Sequence, residues 1–182
     1  RLWSAPMALA VDAAARPAVD AAAQAVDRVI ASGRTVYGVN TGFGLLARTR
    51  IEDARLAELQ RALVLSHSAG TGPLLDDAVV RLVIALKAAS LARGHSGIRW
   101  AVIEALVALA DAGVMPCIPA QGSVGASGDL APLAHLALAL IGEGEATGPT
   151  TAGAESRRVL AGLEVLSAAA VEPLALQAKE GL

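Results

Sequence analysis

A succession of apolar segments at helical spacing, each closed by glycine, most limits what this chain can fold into. Ala21, Ala22, Val26, Val29 and Ile30 follow the helical period within residues 7–32 and stop near Gly33. Leu56, Leu59, Leu63 and Ser66 share one face of a second helix, which ends at Gly70-Thr71-Gly72-Pro73. A third, Asp76 to Arg93, opens on two aspartates suited to the positive end of a helix dipole. It is apolar on most of its circumference and is expected to be buried on several sides. A fourth runs from an N-cap near Ser96 to Ala112, with Gly113 as its stop. A fifth starts near Asp129 and turns Leu130, Leu133, Ala134, Ala137, Leu138 and Ile141 to one side. Residues 142–156 read as a loop or short hairpin, 157–171 as helix, and Pro173 to Leu182 as the opening of another helix. Thr35 to Val39 is a short β-like run. Alanine and leucine dominate and β-branched alternation is scarce, so the expected fold is mainly α, with a few short strands.

Composition removes whole classes of function. With 182 residues, 54% of them hydrophobic, the chain can bury a core and is not disordered. A formal net charge of -2 and a pI near 5.9 leave no basic face for phosphates, and 2% aromatic content leaves no base-stacking platform, so no nucleic-acid partner is expected. The single cysteine, Cys117, excludes an intrachain disulfide and a multi-cysteine zinc site. Asp76 and Asp77 have no further ligand-type residues at suitable spacing, so no metal is expected. The mean hydropathy of +0.54 comes mostly from alanine. No apolar run reaches the roughly 18 residues of a spanning helix, and no signal peptide is evident. These features predict a soluble, cytoplasmic chain without a membrane partner.

Three stretches carry chemistry. The first is Gly125-Ala126-Ser127-Gly128-Asp129-Leu130-Ala131-Pro132. Read simply, it is a helix N-terminus: Gly128 turns the chain, Asp129 caps, and Pro132 sits where no donor is missed. Read chemically, it can cyclise. The amide nitrogen of Gly128 attacks the carbonyl of Ala126, one water leaves as a five-membered ring closes, and Ser127 loses a second water to leave an exocyclic methylidene. Glycine supplies an unhindered nitrogen, alanine is small, and serine carries the hydroxyl to be eliminated. The product is an electrophile made from backbone. Asp129 is placed to handle protons during closure, and the following helix N-terminus to stabilise negative charge.

The second stretch is Val36-Tyr37-Gly38-Val39-Asn40-Thr41-Gly42-Phe43-Gly44. Its glycines lack the Lys-Ser/Thr of a phosphate-binding loop, so it reads either as a tight loop packing the only Tyr and Phe or as a loop presenting Tyr37. A tyrosine with a free pKa of about 10 acts as a base only where donors stabilise its phenolate. Asn40 and the glycine amides, up to Gly44, are the candidates. The third stretch ends a helix with Ser66-His67. A histidine there suits a helix C-terminus or a ligand. His95 is expected at a helix junction, and Trp3 and Trp100 in packing.

The run G-A-S-G-D-L-A-P-L-A-H from Gly125 to His135 resembles the signature of the methylidene-imidazolone (MIO) ammonia-lyases, the histidine and phenylalanine ammonia-lyase family. The resemblance extends over Tyr37 to Gly44, Arg93 to Arg99 and Ala178 to Leu182, and covers the chain from about Pro6 onward. It implies an L-aspartase/ammonia-lyase-like fold, with residues 1–182 as the N-terminal, MIO-containing part and most of the central helical bundle, with its downstream site residues, absent. It further implies a 4-methylidene-imidazole-5-one formed from Ala126, Ser127 and Gly128 without an external cofactor, with Asp129, Asn40 and Gly44 in support. Tyr37 becomes the base for the substrate β-proton, and Ser66-His67 faces the substrate side chain. That pair favours imidazole, hence non-oxidative deamination of L-histidine to trans-urocanate and ammonia by a homotetramer. Capture of the amine and capture of the imidazole ring by the electrophile both stay open. A phenylalanine or tyrosine lyase or aminomutase is the enzymatic alternative. A non-catalytic piece that self-associates through apolar helix faces is the other. His135, one to two turns into its helix, is expected to pack or hydrogen-bond rather than catalyse.

Overall fold

The computed structural model describes residues 2–5, 7–124, 128–150 and 153–181. The described residues include six α-helices: α1 (Arg16–Ala31), α2 (Leu56–His67), α3 (Asp77–Leu91), α4 (Trp100–Asp111), α5 (Leu130–Leu140) and α6 (Leu163–Ala168). The expected helical core is present, and proline near the first turn of α1 fits its N-terminus. Short strands sit between the helices. β1 (Thr71–Leu74) pairs antiparallel with β3 (Pro119–Gln121). β2 (Met115–Pro116), β4 (Glu145–Thr150) and β5 (Gly153–Ala161) form an antiparallel sheet in the order β2-β4-β5. No described helix is long and apolar enough to cross a membrane.

The main core lies between α3, α4, α5 and the three-stranded sheet, where Ile84, Ile103, Leu106, Leu109, Met115 and Leu160 are fully buried. Helix α3 buries one stripe, Val80, Ile84, Ala88 and Leu91, while Leu86 is 69% exposed, so this helix is covered on fewer sides than its composition suggested. Trp100 joins α1 to α4: its indole nitrogen donates to Glu104 at 2.8 Å, and the Arg16 guanidinium lies over its ring at 5.8 Å. A smaller cluster of Val64, Ala137 and Leu176 packs α2 on α5, and this contact positions the site.

Four local expectations change. Thr35 to Val39 is a turn, not a strand, because the Asn40 side chain takes the backbone groups a strand would pair: it accepts from Val36 N at 2.8 Å and donates to Arg34 O at 2.8 Å. The fourth helix starts at Trp100, not Ser96, because Arg99 is extended, at ψ 150°, where its amide donates to the carboxylate of Glu180 at 3.0 Å. The helix expected over 157–171 shrinks to Leu163–Ala168, because β5 stays paired to β4 through Glu145↔Ala161 and buries Leu160 against the core. Residues 173–181 form no helix. Burial alternates there, with Leu176, Ala178 and Glu180 inward, which is the period of extended chain.

Candidate active site

Tyr37 stands on the loop between α1 and α2, 64% exposed, with its ring edge-on to Phe43 at 5.6 Å between centroids. The loop beneath it is rigidly tied. Asn40 and Thr41 are fully buried, Asn40 O accepts from Ile51 N at 2.9 Å, and Thr41 Oγ1 accepts from Gly38 N at 3.3 Å. Asn40 thus spends its amide on loop backbone and bears on Tyr37 through the loop's shape. Gly44 opens the following 3-10 turn, Gly44–Leu46.

A cavity of about 150 Å³ lies against Tyr37, lined also by Gly38, Phe43, Gln60, Leu63 and Lys179. Larger cavities of about 290 and 460 Å³ open elsewhere, but neither is lined by Tyr37 or His67, so volume alone would misplace the site. Leu63 links the Tyr37 cavity to Ser66 and His67, which occupy the last turn of α2. Leu63 O lies 2.8 Å from His67 Nδ1 and accepts from Ser66 Oγ at 3.0 Å. A carbonyl only accepts, so Nδ1 carries a hydrogen, and in the tautomer with that hydrogen alone Nε2 is the ring's acceptor. Ser66 Oγ lies 3.1 Å from Nδ1.

The third part of the site is the loop that leads into α5. Ala126 and Ser127 lie outside the described residues. Gly128 has φ +116°, a conformation that L side chains rarely adopt, and a Cβ there would meet no atom within 4 Å. Glycine is required by the backbone and not by crowding. Asp129 was expected to cap α5, but it makes no capping bond; its carboxylate accepts from Ser123 Oγ and closes the loop across residues 123–129.

The family model of the aromatic amino acid lyases matches residues 1–182. The chain belongs to the aromatic amino acid lyase family. It is 57% identical over 181 residues to a histidine ammonia-lyase of Salmonella typhimurium, covering all of this chain and 34% of that protein. The crystal structure of histidine ammonia-lyase from Trypanosoma cruzi superposes with a TM-score of 0.85 at 37% identity, covering all of this chain and 34% of that one. Tyrosine aminomutase from Streptomyces globisporus superposes with a TM-score of 0.85 at 34% identity, covering all of this chain and 33% of that one. The chain therefore spans about a third of the length of the relatives it matches.

Within this lyase-family fold, two quoted stretches meet in a way the sequence did not announce. Arg99, from the 93–99 stretch, reaches Glu180, from the 178–182 stretch. Its Nε donates at 2.9 Å and its Nη2 at 2.6 Å, and Gln177 N adds a donor at 2.7 Å. The Glu180 side chain is 1% exposed. Gln60, buried on α2, accepts from Gly181 N at 2.9 Å. These bonds fix the turn that sets Lys179 in the wall of the Tyr37 cavity, with Lys179 itself at φ +76°. Glycines and an acid-base pair were visible in the sequence, but nothing in their spacing announced the pairing. Cys117 is a half-buried free thiol whose pKa burial pushes up, which makes it an unreactive packing residue.

Proposed function

We propose that the protein carrying this chain deaminates L-histidine without oxidation, giving trans-urocanate and ammonia. The observation that carries this reading is identity of 56–57% along the whole chain to proteins named histidine ammonia-lyase. Ala126, Ser127 and Gly128 would form the 4-methylidene-imidazole-5-one, and the φ of Gly128 and the Ser123–Asp129 closure suit that role. Its chemistry is that of an electrophile, withdrawing electrons from the substrate so that ammonia, a poor leaving group, can depart. No oxidant is needed, since the reaction removes a proton and ammonia from one molecule.

The chain's own residues divide the remaining work. Tyr37 takes the substrate β-proton, and the loop held by Asn40 keeps its side chain at the cavity. His67 Nε2 accepts the imidazole N–H of the substrate, because its Nδ1 hydrogen is already engaged by Leu63 O. An acceptor left empty by phenylalanine costs binding, and this favours histidine over other aromatic substrates. Asp129 and Ser123 hold the loop shut. A homotetramer in the cytoplasm is the assembly and location we infer from the family.

The test is an intact mass of the full-length protein, a peptide map over residues 121–136 and a urocanate assay. A deficit of two waters on Ala126 to Gly128, with urocanate formed from L-histidine, is the expected result. Urocanate should fall sharply in His67→Leu; turnover unchanged in that variant would remove His67 from substrate recognition. A protein with an unmodified mass and no urocanate would sink the proposal.

A further inference from the structure

After His67 the chain runs through Ser68 and Ala69 to Gly70, and there it meets α5. The Gly70 amide donates to His135 Nε2 at 3.1 Å, joining positions 65 residues apart. The approach is close enough that a methyl group would press on its neighbours. A Cβ on Gly70 would lie 3.0 Å from His135 Nε2 and 3.2 Å from the Cβ of Pro119. A Cβ on Gly122 would lie 3.1 Å from the Cβ of Ala131 and 3.2 Å from Gly70 Cα. The exit of α2, the end of β3 and the first turns of α5 therefore close on one point. These are the segments that bear His67, lead into the 123–129 loop, and leave it.

The donor fixes the ring's state. An N–H pointing at Nε2 requires that nitrogen to be bare, so the hydrogen sits on Nδ1. Burial holds the His135 pKa below its usual value, which favours the neutral ring. An imidazolium would oppose a donor with a donor.

We propose that His135 is a positioning residue: as a neutral acceptor for the Gly70 amide, it pins the segment after Ser66-His67 to the helix after residues 126–128. It thereby sets the separation between the substrate-ring acceptor and the electrophile. This rests on the histidine-deaminating reading above, where both ends must meet one substrate.

The experiment compares His135→Leu and His135→Gln in the full-length protein. Glutamine keeps an oxygen acceptor near the place of Nε2, and leucine keeps bulk without one. Leucine should raise the KM for L-histidine about tenfold, as expected for one orphaned donor, and glutamine should return it to within about threefold of the parent. The peptide over 121–136 should keep its two-water deficit in both. Hydrogen exchange at Gly70 should accelerate with leucine and stay slow with glutamine. Equal KM values in leucine variant and parent, or equal loss in the two variants, would overturn the proposal. If the leucine variant does not fold, glutamine decides alone. Slow exchange with near-parental KM, or fast exchange with raised KM, supports the pin, and either mismatch overturns it. Should the parent make no urocanate, the functional reading fails by itself, and Gly70 exchange in the two variants still decides whether His135 holds that amide.

Discussion

Arg99→Leu tests how the 177–181 turn is held. The substitution removes three donations: Nε to Glu180 Oε1 at 2.9 Å, Nη2 to Glu180 Oε2 at 2.6 Å and Nη2 to Ala175 O at 2.8 Å. It leaves a carboxylate that is 1% exposed with two backbone donors, Arg99 N and Gln177 N. Removing one partner from a fully buried pair costs about 3–5 kcal/mol. The Arg99 side chain is 34% exposed, so water can replace part of the guanidinium, and a loss of about 2–3 kcal/mol is the better expectation. Arg99→Lys retains the charge without the planar fork and should fall between the two. Glu180→Gln in the leucine background should cost little further, because the charge that made the gap expensive is gone.

The assay is urea unfolding of each variant, with hydrogen exchange over 177–181 as the local readout. The Glu180 hydrogen bond pushes the Arg99 guanidinium pKa up. A base raised in the folded state contributes its stability at every pH below its unfolded pKa, so the ranking should not change between mildly acidic and mildly alkaline buffer. A leucine variant within about 0.5 kcal/mol of the parent would refute the claim that this pair holds the turn. Because the turn sets Lys179 in the Tyr37 cavity, the loss should also lower turnover.

Asn40→Ala should cost about 2–3 kcal/mol, since it orphans Val36 N and Arg34 O beneath a fully buried side chain. Limited proteolysis within residues 34–44 and thermal unfolding would show it. His135 makes stability depend on pH. Its folded pKa lies below the ordinary 6.5, so the unfolded chain binds the extra proton first and stability falls as pH drops from about 6.5 toward the folded value, then levels. Glu58, Arg61 and His67 on α2, Asp129 before α5 and Glu143 after it are the charged or titratable groups on the neighbouring segments, and β1 and β3 carry none. Urea midpoints at about pH 7.5 and about pH 5.5 should diverge in the parent and diverge less in His135→Gln.

What could be read in advance follows from how local each feature is. The helices were legible because apolar spacing and glycine stops act over a few residues. The hairpin at 142–161 was half legible, since Leu160 reads as helix until its partner Ala146 is known. The last stretch was misread for a related reason: alanine and leucine favour helix, but Leu176, Ala178 and Glu180 are each claimed by a distant surface, and the chain extends to reach them. Among the candidate site residues, Tyr37, His67 and the 126–129 run stood out in the sequence by residue type and order. Asn40 announced its importance but not its partner, because a buried amide satisfies whichever backbone groups the turn brings near. Arg99 with Glu180 and Gly70 with His135 are separated by 81 and 65 residues, and only the assembled fold makes them neighbours. Residue chemistry proposes the reacting groups, whereas long-range polar pairs decide how far apart they stand. Variants of those pairs should therefore change KM and stability before they abolish the two-water deficit expected at Ala126 to Gly128.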